Sequence, residues 1–296
     1  FDAAHFDNLL LELENLLKGE GTLTDRYNAY MTKFVIPKEK LNDVFRVAID
    51  ASRKITSTKF NLPQGENFVL EYVTDKVWSG YNYYQGNSQS LIQINTDFPI
   101  YISRAVDLAS HEGYPGHHVY MMLIEQNLVN AKGWKEFSVY PLFSPLSLIS
   151  EGSANYGIDV VFPGDKRIEF EKERLFPIAG IDVSEADKFY KVQGLLGKLN
   201  YARNETARDY LDGEISREEA IAQIMKYSLF SYEKAEQSVR FIETNRSYVI
   251  NYNLGKDMVS KHVKLTMGAD NSQDNRWNVF KNLLSNPYTA STLRQE

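Results

Sequence analysis

Three of the five histidines in the chain lie within eight residues and beside a carboxylate, in the segment HEGYPGHH at residues 111–118. Apolar residues recur at helical spacing in residues 103–110, and residues 119–124 are strongly apolar. These flanks indicate a buried helix rather than a solvated histidine-rich loop. Neutral imidazoles and a glutamate in an apolar setting are the components of a catalytic zinc site, where the carboxylate accepts a proton from water. We therefore predict a zinc ion at this segment, with Glu112 as general base.

The spacing of these histidines excludes a regular helix as the metal-binding element. The usual H-E-x-x-H motif places two histidines four residues apart on one helical face, but the residue four after His111 is Pro115. In an unbroken helix His117 points away from His111, and His118 lies about 10 Å further along the axis. Zinc–nitrogen bonds are only about 2.0–2.1 Å long. Neither pair can then share one ion.

Pro115 and Gly116, which lie between the two histidines, are expected to interrupt the regular helix. Proline breaks the helical hydrogen bonds and glycine lets the backbone bulge. We predict that the two residues bring His117 back toward His111 as a second ligand. His118 then lies behind the ligands or on the substrate side, and the choice between His117 and His118 as ligand stays open.

A catalytic zinc site needs a third protein ligand and an open position for water. Glu151 lies in a helix predicted to begin near residue 146, far enough along the chain for this helix to pack back on the first one. Asn155, one turn later, is predicted to hydrogen-bond the far nitrogen of a ligating imidazole. Asp107, one turn before His111, is an alternative partner or a solvated residue.

Several motifs together resemble domain-of-unknown-function family 885 (DUF885), which is similar to the gluzincin metallopeptidases. They are SLIQINT at residues 90–96, Phe98-Pro99, HEGYPGHH, EGSANY at residues 151–156 and, more weakly, YNLG at residues 252–255. The resemblance covers roughly the C-terminal two thirds of the chain. It implies a gluzincin-like core and a zinc ion held by His111, His117 and Glu151. The chain departs from the family at Ser153, which replaces a tryptophan, and at Ile158, which replaces an acidic residue.

The resemblance and the residue pattern together predict an α+β fold that is mainly α-helical. Period-two alternation indicates strands at residues 68–73 and 90–95, separated by turns at 79–82 and 85–88. We expect a small antiparallel sheet beside the metal-binding helix, whose open edge either pairs with an extended peptide or covers the core. We predict one domain over residues 1–296, with supporting helices in 1–60, the sheet in 61–100, metal-site helices in 101–160 and C-terminal helices in 184–296.

Candidates for stabilising an oxyanion lie in residues 240–252, where Arg240, Tyr248 and Tyr252 occur in one segment. Tyr252 is the first choice as a catalytic residue because it matches the late element of the family. Tyr248 and Arg240 are candidates for contacts to the substrate or to a ligand. The chain contains 19 tyrosines, so simple packing accounts equally well for either tyrosine.

Composition excludes several classes of partner and site. A net charge of −6 without a basic run argues against nucleic acid. The absence of cysteine excludes disulfides and thiolate ligands. No apolar run reaches the length of a membrane span, so a soluble protein is expected. The chain starts at Phe1 rather than methionine, which suggests a trimmed N-terminus and leaves export as a periplasmic protein or lipoprotein open.

We predict a zinc-dependent hydrolase, most simply a peptidase, whose substrate is a peptide or a small amide. Two alternatives stay open. The departures at Ser153 and Ile158 would suit a non-catalytic, zinc-containing binding module, and the same chemistry would serve a hydrolase of another amide or ester. The sequence predicts no oligomeric state.

Overall fold

The computed structural model describes residues 1–294, so the last two residues of the predicted segment 184–296 lie outside the described part of the chain. Helices dominate this part, and the predicted mainly helical α+β class is confirmed. The α-helices are α1 (Ala3–Leu16), α2 (Leu23–Met31), α3 (Leu41–Ser57), α4 (Ser103–Leu108), α5 (His117–Ile124), α6 (Leu146–Val161), α7 (Lys166–Phe170), α8 (Phe176–Ala179), α9 (Ala186–Leu199), α10 (Ala202–Leu211), α11 (Arg217–Ser228), α12 (Tyr232–Asn245), α13 (Asn253–Met267), α14 (Gln273–Leu284) and α15 (Ala290–Arg294).

Shorter helical segments complete this framework. π-Helical segments extend α4, α5 and α7 at Ala109–Gly113, Glu125–Asn130 and Glu171–Leu175. Turns of 3₁₀ helix lie at Thr32–Phe34, Lys38–Lys40, Lys135–Ser138, Val183–Glu185 and Arg246–Asn251. None of the helices within residues 1–294 is both long enough and apolar enough to cross a membrane.

The sheet contains β1 (Asn67–Val73), β2 (Gly80–Gly86) and β3 (Gln89–Asn95), with β3 in the centre. β3 is parallel to β1 and antiparallel to β2. The two predicted strands, β1 and β3, are therefore parallel, so the predicted antiparallel pairing between them is wrong. The predicted turn at residues 79–82 is the start of β2, because its tyrosines favour extended backbone. The turn itself is confined to Asn87 and Ser88, whose φ angles of 52° and 58° are typical of a two-residue hairpin.

The N-terminal helices pack behind the metal-site segment. A reciprocal capping box between Thr22 and Asp25 starts α2. α3 continues to Ser57, within the predicted segment of supporting helices. The Ser52 hydroxyl on α3 lies 3.2 Å from the hydroxyl of Ser110 in the π-helical segment. This contact joins the supporting helices to the turn that carries His111.

α6 crosses α13 at a contact that requires glycine on both helices. A Cβ atom at Gly152 would lie 2.3 Å from the carbonyl carbon of Gly255, and one at Gly255 would lie 2.6 Å from the carbonyl oxygen of Leu148. Non-bonded carbon atoms normally approach to about 3.5–4.0 Å. The close crossing brings Glu151 on α6 and Tyr252, directly before α13, to the wall of one cavity.

Candidate metal centre

A break in the chain brings His111 and His117 together. His111 lies in the π-helical segment Ala109–Gly113, and His117 is the first residue of α5. Between them, Gly116 N–H donates a hydrogen bond to the Ser110 carbonyl at 2.9 Å, so the chain folds back over the π-helical turn. A Cβ atom on Gly116 would lie 1.8 Å from the His111 carbonyl oxygen, so this close approach requires glycine. The predicted kink in one helix is thus a complete break between two helices.

Three side chains converge at this break. The Nε2 atoms of His111 and His117 are 3.2 Å apart. Glu151 Oε2 lies 3.3 Å from His111 Nε2, and Oε1 lies 3.5 Å from His117 Nε2. Ligands at about 2.0–2.1 Å from a tetrahedral zinc ion are about 3.3–3.4 Å from one another. Glu151 Oε2 is buried and has no hydrogen-bond partner among residues 1–294. These residues therefore fit a zinc ion.

Glu112 lies beside this triad. One of its carboxylate oxygens and one ring nitrogen each of His111 and His117 lie within 4.8 Å of one another. The oxygens of Glu151 are closer to both nitrogens, so Glu112 is left for a different role. Asn82 Nδ2 on β2 donates to the Glu112 carbonyl at 2.7 Å. Strand β2 therefore packs directly against Glu112.

The far nitrogen of each imidazole also has a partner. His111 Nδ1 lies 3.0 Å from Asn155 Oδ1, and His117 Nδ1 lies 3.0 Å from Ser150 Oγ. Asn155 Nδ2 donates to the Tyr252 carbonyl at 3.1 Å, so the amide oxygen must face His111. His111 Nδ1 then donates its proton to this oxygen, which leaves Nε2 as the ring nitrogen available to a metal ion. The sequence singled out Asn155 for this contact but missed Ser150, which directly precedes Glu151.

The two candidate tyrosines differ in position. Tyr248 donates to Glu151 Oε1 at 2.5 Å and so holds the carboxylate. The ring of Tyr252 stacks on that of His111 with centroids 6.4 Å apart. Burial, then the charges of Glu151 and Glu112, raise the pKa of Tyr252 well above its usual value, against a smaller opposing effect of Arg203. The Tyr252 hydroxyl therefore stays protonated and can donate a hydrogen bond.

The carboxylates of Glu151 and Glu112 favour a positive charge between the imidazole rings of His111 and His117. Burial alone would raise the pKa of Glu151, but the charges and hydrogen bonds of His117 and His111 lower it below its usual range. Burial alone would lower the pKa of His111, but Glu151 and Glu112 outweigh it and raise this pKa to about 9. The arrangement therefore favours the binding of a cation between the Nε2 atoms of His111 and His117 and the carboxylate of Glu151.

His118 does not belong to this centre. Its side chain is fully buried, with Nδ1 2.8 Å from Ser90 Oγ and Nε2 3.2 Å from Glu66 Oε2. The prediction that it faces the substrate or supports the ligands is therefore wrong. Consecutive residues at the start of a helix point about 100° apart, and His117 takes the direction toward Glu151. Glu66 also accepts from the Tyr114 hydroxyl at 2.7 Å, a buried network that sequence reasoning missed.

Arg240 and Asp107 lie away from the triad as well. Arg240 is exposed on α12, and its nearest carboxylate is Glu236 at 4.0 Å, so its predicted contact to substrate or ligand is wrong. The cavity side of α12 is formed instead by neighbours such as Ser238. Asp107 pairs with Arg167 Nη1 at 2.8 Å and Arg104 Nη1 at 3.3 Å, so it neither supports His111 nor lies free in solvent.

The triad opens into a cavity of about 1440 Å³, which exceeds the usual 300–1,000 Å³ of a small-ligand pocket. β2, α6, α10, α12 and residues near α13 form its walls. The cavity wall contains several cations that sequence reasoning missed, among them Arg203 on α10 and Lys234 on α12. Neither lies near a recognisable motif, so no pattern in the sequence indicates them.

Comparison with known proteins supports the fold but indicates neither a family nor an activity. No protein-family model matches the chain, and no curated protein matches it. Among solved structures, a chain described as the "putative lipoprotein from Colwellia psychrerythraea" aligns with a TM-score of 0.65 and 15% sequence identity. The alignment covers 99% of this chain and 51% of the neighbour, so this chain spans about half the neighbour's length. At this identity the likeness shows a shared fold alone.

Proposed function

We propose that the chain is a zinc-dependent hydrolase that acts on peptide bonds, with a gluzincin-like site of the kind that its resemblance to DUF885 implies. One observation carries the proposal. His111 Nε2, His117 Nε2 and the Glu151 carboxylate lie 3.2–3.5 Å apart, close to the spacing of ligands around tetrahedral zinc. Three protein ligands leave the fourth position free for water or substrate, which is the arrangement of catalytic rather than structural zinc.

The surrounding residues have complementary roles in this proposal. Zinc, when bound, lowers the pKa of a water molecule and polarises a carbonyl. Glu112 accepts the proton of the attacking water and passes it to the leaving amine. The protonated hydroxyl of Tyr252 donates to the oxygen that becomes negative in the transition state. Tyr248 and Asn155 hold Glu151 and His111 in position.

Strand β2 favours a peptide over other amides and esters. It is an edge strand, because among the described residues only β3 pairs with it. A Cβ atom at its first residue, Gly80, would lie 2.9 Å from Glu112 Oε1, so the strand begins at the general base. An extended peptide that adds to this edge forms main-chain hydrogen bonds and crosses the centre. The description of the structural neighbour as a lipoprotein agrees with the predicted export, which stays a prediction.

The test combines metal analysis with a peptide-library digest. Purified protein should contain one zinc ion per chain, and Glu112→Gln should retain it while turnover falls by about 10²–10⁴-fold. Glu39→Gln, an exposed glutamate outside the cavity, is the matched control and should change neither value. Undiminished turnover in Glu112→Gln contradicts the assigned base. Zinc without cleavage of any peptide in a broad library favours the non-catalytic binding module, and cleavage of esters or other amides alone favours the third alternative.

A further inference from the structure

Three of the six lysines and arginines at the cavity wall are neutralised by carboxylates, and a fourth, on α9, is exposed to solvent. Arg104 and Arg167 share Asp107, at 3.3 Å and 2.8 Å. Lys256 Nζ lies 2.9 Å from Asp159. These pairs need no further anion, because each positive charge already has an acidic partner.

Arg203 and Lys234 are different. Arg203 is part-buried, its Nη2 donates to Ser238 Oγ at 2.9 Å, and its buried Nε has no hydrogen-bond partner among residues 1–294. Lys234 Nζ donates to Gln237 Oε1 at 2.9 Å and lies 4.1 Å from the centre of the Phe98 ring. All these contacts are to neutral groups, and no described carboxylate forms an ion pair with either cation. Burying a cation without a counter-ion is unfavourable, because the charge loses its hydration and gains no partner.

The two cations lie in one region of the cavity. Ser238, the partner of Arg203, follows Lys234 by one turn of α12, so both face the same part of the wall. Burial, then the charges of Arg203 and Arg104, lower the pKa of Lys234 to about 8, against a smaller opposing effect of Asp97. The two positive charges therefore repel one another, and Asp97, the carboxylate that opposes this repulsion, forms no ion pair with Lys234 among the described residues.

The region is also close to the metal centre. Arg203 and Lys234 line the same cavity as Tyr252, whose ring stacks on that of His111. We propose that Arg203 and Lys234 form an anion-binding subsite that takes a carboxylate of the peptide substrate. The inference rests on the proposed function and specifies its substrate class. The carboxylate is either the C-terminus of the peptide or an acidic side chain, since the planar fork of an arginine matches both.

The test measures retention rather than cleavage. Zinc-loaded Glu112→Gln protein is mixed with N-acetylated tetrapeptide pools, and bound peptides are quantified by mass spectrometry after ultrafiltration. One pair of pools differs only in a free C-terminal carboxylate or a carboxamide. A second pair, both carboxamides, differs only in one fixed Glu or Gln. We expect the acidic member of one pair to bind about tenfold or more tightly, as a charged hydrogen bond implies.

Substitutions then assign the preference to the two cations. Arg203→Met and Lys234→Met should each reduce the ratio of acid to neutral binding to near one. Arg240→Met removes an exposed arginine outside the cavity and should leave the ratio unchanged. Thermal unfolding checks that each variant folds, and Lys234→Met decides the question if Arg203→Met does not fold.

Two outcomes overturn the subsite. One is that, in both pairs of peptide pools, the acidic and the neutral pool are retained equally or not at all. The other is an acid preference that persists in the folded substitution variants, because the carboxylate then binds elsewhere, for example at zinc. Wild-type protein that prefers acid pools but cleaves no substrate refutes the proposed function and leaves the subsite in place.

Discussion

Replacing Gly152 by alanine tests whether the crossing of α6 and α13 positions the metal centre. The new Cβ atom would lie 2.3 Å from the carbonyl carbon and 2.4 Å from the carbonyl oxygen of Gly255. Both are backbone atoms, so no side-chain rotation relieves the overlap. Normal carbon contacts of about 3.5 Å require the two helices to separate by about 1 Å. Glu151 is the adjacent residue on α6, and Tyr252 directly precedes α13, so the separation moves both.

The size of the effect follows from two opposing contributions. Overpacking costs about 1–3 kcal/mol, and the overlap with two backbone atoms of Gly255 places this case in the upper part of that range, about 2–3 kcal/mol. Replacing glycine by alanine within a helix gains about 1 kcal/mol. The net loss is then about 1–2 kcal/mol in the free energy of unfolding. An unfolding entropy of about 2.1 cal/mol/K per residue gives about 0.6 kcal/mol/K for 296 residues. The unfolding temperature of Gly152→Ala should therefore fall by about 2–3 °C.

Gly194→Ala is the matched control. Gly194 lies within α9, and an added Cβ there has no atom within 4 Å, so alanine should raise the unfolding temperature by about 1–2 °C. Calorimetry of both variants, followed by zinc titration, separates the two effects. Gly152→Ala should also bind zinc about tenfold or more weakly, whereas Gly194→Ala should bind it as the wild type does. A Gly152→Ala protein that is as stable as Gly194→Ala and binds zinc equally well would refute the positioning role.

Three further predictions concern individual side chains. Tyr248→Phe, which loses the hydrogen bond to Glu151, should weaken zinc binding by about 10–100-fold in a competition titration. Tyr252→Phe should retain zinc and lower kcat by about 10²–10³-fold with little change in KM; an unchanged kcat would remove it from the mechanism. The pKa of Lys234 falls from its usual value near 10.5 to about 8 in the fold, so its charge opposes folding at neutral pH. Lys234→Met should therefore raise the unfolding temperature at pH 7, and this gain should shrink between pH 8 and 10.5; a gain that does not change with pH would contradict the unpaired charge.

The ligand geometry could be anticipated from the sequence because its cause is local. Pro115 ends the helix and Gly116 permits a close approach of the backbone, so the short separation of His111 from His117 brings their side chains together once the helix breaks. Glu151 could also be singled out as a candidate, because EGSANY resembles the second motif of DUF885 and its helix is far enough along the chain to pack back on the first one. The mainly helical class followed in the same way from repeated apolar spacing over long segments.

Other features depend on contacts between distant parts of the chain. The directions of His117 and His118 depend on the residue at which α5 begins, and local propensity does not determine that residue. β2 was mistaken for turns because its glycines were given more weight than the tyrosines that pair with β3. Arg203 and Lys234 lie on polar helices of ordinary composition. Their lack of carboxylate partners is a property of the folded cavity alone, so no pattern in the sequence reveals it.

The glycines of the two motifs are as much a part of the centre as its ligands. In HEGYPGHH, Gly116 lets the backbone approach the carbonyl of His111, and without this approach His117 would stay on the far side of its helix. In EGSANY, Gly152 lets α6 meet α13, and without this contact Glu151 would not lie beside the segment that contains Tyr248 and Tyr252. The two glycines are needed for unrelated steric reasons. A chain that carried the histidines and the glutamate but neither glycine would have the ligands of a zinc site without the backbone geometry that brings them to one ion.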